Sequence, residues 1–94
     1  MEVAKGLARV LVEKNLAVCV QLTEGVQSIY RWDGKLFEEQ EVLLSAKTSA
    51  SKWAEILSFI QQHHPYDLPE ILAFSPEQYS QQYGEWIQAE ASKI

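Results

Sequence analysis

Cysteine is nearly absent from this sequence: Cys19 is the only one among 94 residues. A disulfide within the chain is therefore excluded, and so is a zinc site built on paired cysteines. Positive charge is scarce as well. Eight Lys and Arg stand against thirteen Asp and Glu, giving a net charge of −5. The eight are scattered, not gathered into the basic stripe of a nucleic-acid binder. Long apolar runs are missing: no stretch approaches the roughly 18–20 residues that a membrane-crossing helix needs. The opening Met1-Glu2-Val3-Ala4-Lys5 lacks the basic-then-apolar order of a secretory signal. The expectation is a cytoplasmic protein with no nucleic-acid and no membrane partner. Also lacking are a serine–histidine–acid set, a phosphate-cradling glycine loop and a readable carboxylate pair. No catalytic residue, and no enzyme, is expected.

What is present reads as one globular domain over residues 1–94, because 47% of the chain is apolar and only 22% charged. Val3, Leu7, Val10 and Leu11 fall at helical spacing over 2–14, and Asn15 suits a left-handed cap. Residues 16–23 then alternate, with Leu16, Val18, Val20 and Leu22 on one face and Ala17, Cys19, Gln21 and Thr23 on the other. Glu24-Gly25 predicts a bulge, and 27–32 resumes the strand. Asp33-Gly34 is a strong hairpin signal, since both central positions of a type I′ turn need positive φ. The returning strand covers 35–48 with Val42, Leu44 and Ala46 on one face, and Glu38-Glu39-Gln40-Glu41 predicts a solvated stretch. So long a ribbon exposes edges that commonly pair with another chain. Ser49 or Ser51 is placed to cap a helix over 52–62, with Trp53, Ile56, Leu57 and Ile60 as its apolar stripe. Pro65 ends that helix near His64. Residues 71–74 read as a short buried strand, and a last helix is predicted from Pro76, with Tyr79, Tyr83, Trp86 and Ile87 on one face. The order helix, strand, strand, helix, strand, helix is an α+β plan, with helices packed on an antiparallel sheet.

Five blocks of this sequence resemble the CutA family of divalent-cation tolerance proteins. They are Leu16-Ala17-Val18-Cys19-Val20; Ser28-Ile29-Tyr30-Arg31-Trp32-Asp33-Gly34-Lys35-Leu36; Glu41-Val42-Leu43-Leu44 with Lys47-Thr48; His64-Pro65-Tyr66 with Pro69-Glu70-Ile71; and Tyr83 with Trp86. They occur in order and at compatible spacing across residues 7–88. Val18, Asp33 and Asp67 stand where the family usually has Ala, Glu and Glu. The resemblance implies a ferredoxin-like α+β subunit and a homotrimer in which long hairpins of neighbouring subunits pair. It also implies a part in metal-ion tolerance, with copper or another divalent ion bound and no metal required for folding. A second implied reading is a trimeric module like the PII signalling proteins, binding a small molecule at subunit clefts. A third is a purely structural interaction trimer. Family members begin with a strand, central in the ferredoxin-like sheet between the third and fourth strands, whereas this sequence opens on a helix. An N-terminally truncated sequence is the expectation. A strand from another subunit and a rearranged sheet are the alternatives.

The ligand chemistry resides first in His63-His64. Neutral imidazole suits Cu(II), Zn(II) and Ni(II). Adjacent residues on a helix point about 100° apart, so the break before Pro65 is needed if both are to hold one ion, with Asp67 or Glu70 adding an oxygen. The alternative is structural: histidine at a helix C-terminus meets the dipole and bonds the last carbonyls without metal. Cys19 is read as packing at the core or a trimer interface, with soft-metal binding as the second role. The candidate metal ligands are therefore His63, His64, Glu70 and Cys19. Tyr30, Arg31 and Trp32, with Lys35 and Lys47 as anion contacts, are read either as a pocket between subunits or as interface packing. Tyr83 and Trp86 are expected as core or interface anchors.

Overall fold

A computed structural model describes residues 1–66 and 68–92. Helix α1 is Glu2–Glu13, strands β1 and β2 are Cys19–Trp32 and Lys35–Lys47, and helices α2 and α3 are Trp53–His63 and Gln81–Ala91. A short 3₁₀ turn, Ala50–Lys52, leads into α2.

The end of α1 shows how local chemistry sets the core. Asn15 takes φ 60°, the left-handed region. Its N–H then reaches the Val12 carbonyl at 3.0 Å, and the Leu16 N–H reaches the Leu11 carbonyl at 2.9 Å. This pair of bonds is a Schellman motif, which satisfies the last helical carbonyls. The same reversal folds Leu16 back onto Leu11, and both lie in the buried cluster with Ala17, Phe59 and Ile60. Leu11 is 1% exposed. Leu16 and Ala17 thus belong to the core but precede the strand, which starts at Cys19 rather than at residue 16.

β1 and β2 pair antiparallel from Cys19 opposite Lys47 to Trp32 opposite Lys35, with a register shift between Thr23 and Val26. The shift is the predicted bulge at Glu24-Gly25, where Gly25 has φ 74°. The turn is also as predicted, with Asp33 at φ 52° and Gly34 at φ 74°. Val20 and Leu44 pack on the buried cluster, while Cys19, Gln21 and Thr23 alternate onto the opposite face. The ribbon carries the molecule to 45 Å in its longest dimension and its radius of gyration to 14.8 Å. A compact chain of this length would have roughly 12 Å.

Several expectations need correction. Residues 71–74 form no strand: the described residues hold a single two-stranded sheet, and Leu72 and Phe74 are 65% and 86% exposed. Only Ile71 packs on the core. A strand exists only through a ladder partner, and none lies beside this segment. The last helix begins at Gln81, not Pro76, because the Ser80 hydroxyl accepts the Tyr83 N–H at 3.4 Å and caps it there. Ile87 and Ala91 are the buried residues of α3, while Tyr83 and Trp86 remain 44% and 46% exposed and face each other at 5.7 Å. They are not core anchors. Ser49 and Ser51 bond each other at 2.8 Å instead of capping α2. In α2 itself Phe59 and Ile60 are buried, whereas Trp53 is 38% exposed.

Candidate functional site

His63 is the last residue of α2, and His64 has already left the helix at ψ 139°. The proline that follows imposes this extended backbone. Its effect on the two imidazoles is opposite. His63 Nδ1 lies 2.9 Å from the Phe59 carbonyl oxygen, one turn earlier. A carbonyl only accepts, so Nδ1 carries the proton and Nε2 keeps a free lone pair. The ring also stacks on Phe59 at 4.4 Å, and Lys14 Nζ sits 5.6 Å from the Phe59 ring centre. His64 Nδ1, by contrast, accepts the Tyr66 N–H at 3.0 Å. Neutral His64 therefore carries its proton on Nε2. Its ring meets Tyr66 edge-on at 4.9 Å. One histidine is oriented with a ligand nitrogen available; the other is engaged in shaping the corner.

His63 stands where two shallow grooves meet. One, of about 400 Å³, runs between α1 and α2 past Leu7, Val10 and Phe59. The other, of about 690 Å³, passes Leu16, Ser58 and Gln62. Lys14, Phe59 and His63 line both. Glu70 is exposed beyond the corner. Cys19 is half-buried at the start of β1, opposite Lys47. Among the described residues no group of three or more His, Cys, Asp and Glu is gathered to hold a metal. The four candidate ligands thus do not form one closed site within a single chain, and Asp67, the alternative oxygen donor, lies outside the described residues.

On the hairpin, Tyr30 stacks on Phe37 at 5.6 Å. The Tyr30 phenol is raised above its ordinary value of 10.0, first by desolvation, then by a hydrogen bond to Glu39 and by the charges of Glu39 and Glu41. Lys47 donates to Gln21 Oε1 at 2.8 Å, so this candidate anion contact is engaged within the sheet. The parts that Phe59 and Tyr66 play beside the two histidines are not legible in the sequence. The spacing of four between Phe59 and His63 was visible there, but a backbone carbonyl as partner leaves no mark on residue identity.

This geometry defines an α+β subunit of ferredoxin-like arrangement with an imidazole exposed at the end of its second helix. The sequence profile of the CutA1 divalent ion tolerance protein family matches residues 1–90, and the chain belongs to that family. The chain is 40% identical over 86 residues to the divalent-cation tolerance protein CutA of Thermus thermophilus, covering 92% of this chain and 84% of that protein. It is 42% identical over 86 residues to the human protein CutA, where it spans 48% of the length, about half. The solved T. thermophilus structure superposes with TM-score 0.87 over 92% of this chain and 84% of that one. That of CutA from Xylella fastidiosa gives 0.92 over 98% and 88%, at 36% identity.

Proposed function

We propose that this chain assembles as a cytoplasmic homotrimer and takes up Cu(II) or a related divalent ion as cargo, with His63 Nε2 as the principal ligand, in the response to metal ions. The observation that carries the reading is the Nδ1–H of His63 bonded to the Phe59 carbonyl. That second bond is the support that metal-ligating histidines usually have. Exposed Glu70 is the proposed oxygen donor, from the same copy or a neighbour. Cys19 is reserved for soft Cu(I), and His64 is a positioning residue for the corner. With one free imidazole per chain, binding is exchangeable and metal-bridged contacts between copies are expected. That suits a cargo ion more than a structural one.

Surface area supports the trimer. The chain exposes 7572 Å², whereas a compact monomer of 10.7 kDa exposes roughly 5,500 Å². The excess, roughly 2,000 Å², is of the order that two standard interfaces would cover at about 800 Å² each. Ile29, Trp32 and Leu36 on the ribbon are 67%, 51% and 70% exposed. A Cu(II) titration against a competing chelator tests the metal reading. The parent and the His64→Ala protein should compete at a fixed ratio per trimer, and the His63→Ala protein should not. Equal, weak binding by all three would refute it.

A further inference from the structure

Two groups without partners stand close together where the grooves beside α1 and α2 meet. The first is the lone pair of His63 Nε2, left free by the bond from Nδ1 to the Phe59 carbonyl. The second is the charge of Lys14. Its ammonium sits 5.6 Å from the Phe59 ring centre, and the His63 ring centre is 4.4 Å from that same point. The charge is thus no more than about 10 Å from the imidazole, near enough to act on a charged ligand there. No carboxylate pairs with it among the described residues. Lys14, Phe59 and His63 line both grooves, whereas Glu2 lines only the first and Glu55 only the second. Leu7, Val10 and Leu16 supply apolar walls.

A bare ion on His63 meets two difficulties here. Cu(II) prefers a tetragonal set of about four nitrogen and oxygen ligands. One imidazole fills one position, and neither groove is lined by another His, Cys or Asp. Lys14 also repels a cation, by roughly twofold in affinity per unit charge at about 10 Å even at the dielectric of water. Both difficulties vanish when the ion arrives already chelated. We propose that the ligand of this site is a divalent ion held in an anionic chelate, whose small carboxylate-bearing carrier fills most of the ion's coordination positions. His63 Nε2 donates its lone pair to the open position and displaces a water, and the oxidation state of the ion is unchanged. Lys14 attracts the carboxylates, and the carbon skeleton of the carrier lies against the apolar walls. The inference rests on the reading of His63 as the metal ligand and adds the form in which the metal arrives. Lys14 is then the specificity-determining residue, responding to the charge of the whole complex and not to that of the ion.

The test uses three preformed Cu(II) complexes that each leave a position open: with diethylenetriamine (dipositive), iminodiacetate (neutral) and nitrilotriacetate (singly negative). Binding is followed by calorimetric titration at low ionic strength, because salt screens charges at this range. In Lys14→Gln the negative complex should bind about twofold more weakly and the dipositive one about fourfold more tightly, with the neutral one unchanged. Lys14→Glu should roughly square both factors, to about fourfold and about sixteenfold. Salt at about 1 M, where the screening length falls to about 3 Å, should erase the differences. A merely structural Lys14 would move all three complexes in one direction. Bare Cu(II), titrated into the same proteins and into His63→Ala, separates the two claims. If the bare ion binds through His63 but the complexes do not bind, or all three respond alike to Lys14 substitution, the inference is overturned and the reading of His63 stands. If neither the bare ion nor any complex depends on His63, both fall.

Discussion

His63 Nδ1 and the Phe59 carbonyl oxygen stand 2.9 Å apart across one turn of α2, and this contact decides which nitrogen of His63 faces solvent. The neighbouring His64 has its own Nδ1 taken by the Tyr66 N–H at 3.0 Å. Two adjacent residues of the same type are thus divided by their hydrogen bonds: His63 keeps Nε2 without a bond to the chain, and His64 braces the corner.

The brace has a measurable consequence. His64→Phe keeps a ring against Tyr66 but removes the acceptor. The Tyr66 amide, bonded to His64 Nδ1 in the parent, should exchange faster in the variant. The protein should lose about 0.5–1.5 kcal/mol, the usual net value of one hydrogen bond. Unchanged exchange at Tyr66 would show that the corner is held by Pro65 alone.

Tyr30 gives a pH signature. Its phenol is raised above 10.0, with desolvation the largest cause and Glu39 next. The native state therefore holds this proton more tightly than the unfolded chain. The stabilisation is complete below the unfolded value and is lost as pH rises through the folded one. Ultraviolet titration should find the Tyr30 transition, identified by its loss in Tyr30→Phe, shifted down in Glu39→Gln.

The Schellman turn separates backbone strain from burial. Asn15 at φ 60° tolerates a conformation that costs other residues roughly 1–2 kcal/mol. Asn15→Ala should destabilise by about 1 kcal/mol, while Asn15→Gly should be close to neutral. Leu11→Ala, at the most buried side chain, should cost about 2–5 kcal/mol. Chemical denaturation with a constant slope checks all three.

Leu36 tests the assembly. It is 70% exposed beside the hairpin turn. A solvated position would accept Glu within about 0.5 kcal/mol. In a trimer whose ribbons pair, Leu36→Glu should dissociate the complex in sedimentation velocity while circular dichroism stays that of the parent.

The legibility of this chain follows the range of the interactions. The hairpin was readable because Asp33-Gly34 and Glu24-Gly25 encode their own φ angles. The end of α1 was readable because Asn15 does the same. Residues 71–74 read as a buried strand but form none among the described residues, since an apolar run of four does not reveal whether a ladder partner lies beside it. Tyr83 and Trp86 read as core or interface anchors; within the chain the smaller Ile87 and Ala91 are what α3 buries, which leaves the interface reading for the two aromatics. At the candidate site the histidines themselves were legible, but not their division of labour. That division depends on a carbonyl and an amide, groups every residue carries.

The most direct measurement of the central claim is electron paramagnetic resonance of the protein loaded with one Cu(II) per chain. The account predicts nitrogen superhyperfine structure from imidazole in the parent and in His64→Ala, and its loss in His63→Ala. A spectrum that survives in His63→Ala and disappears in His64→Ala would contradict it.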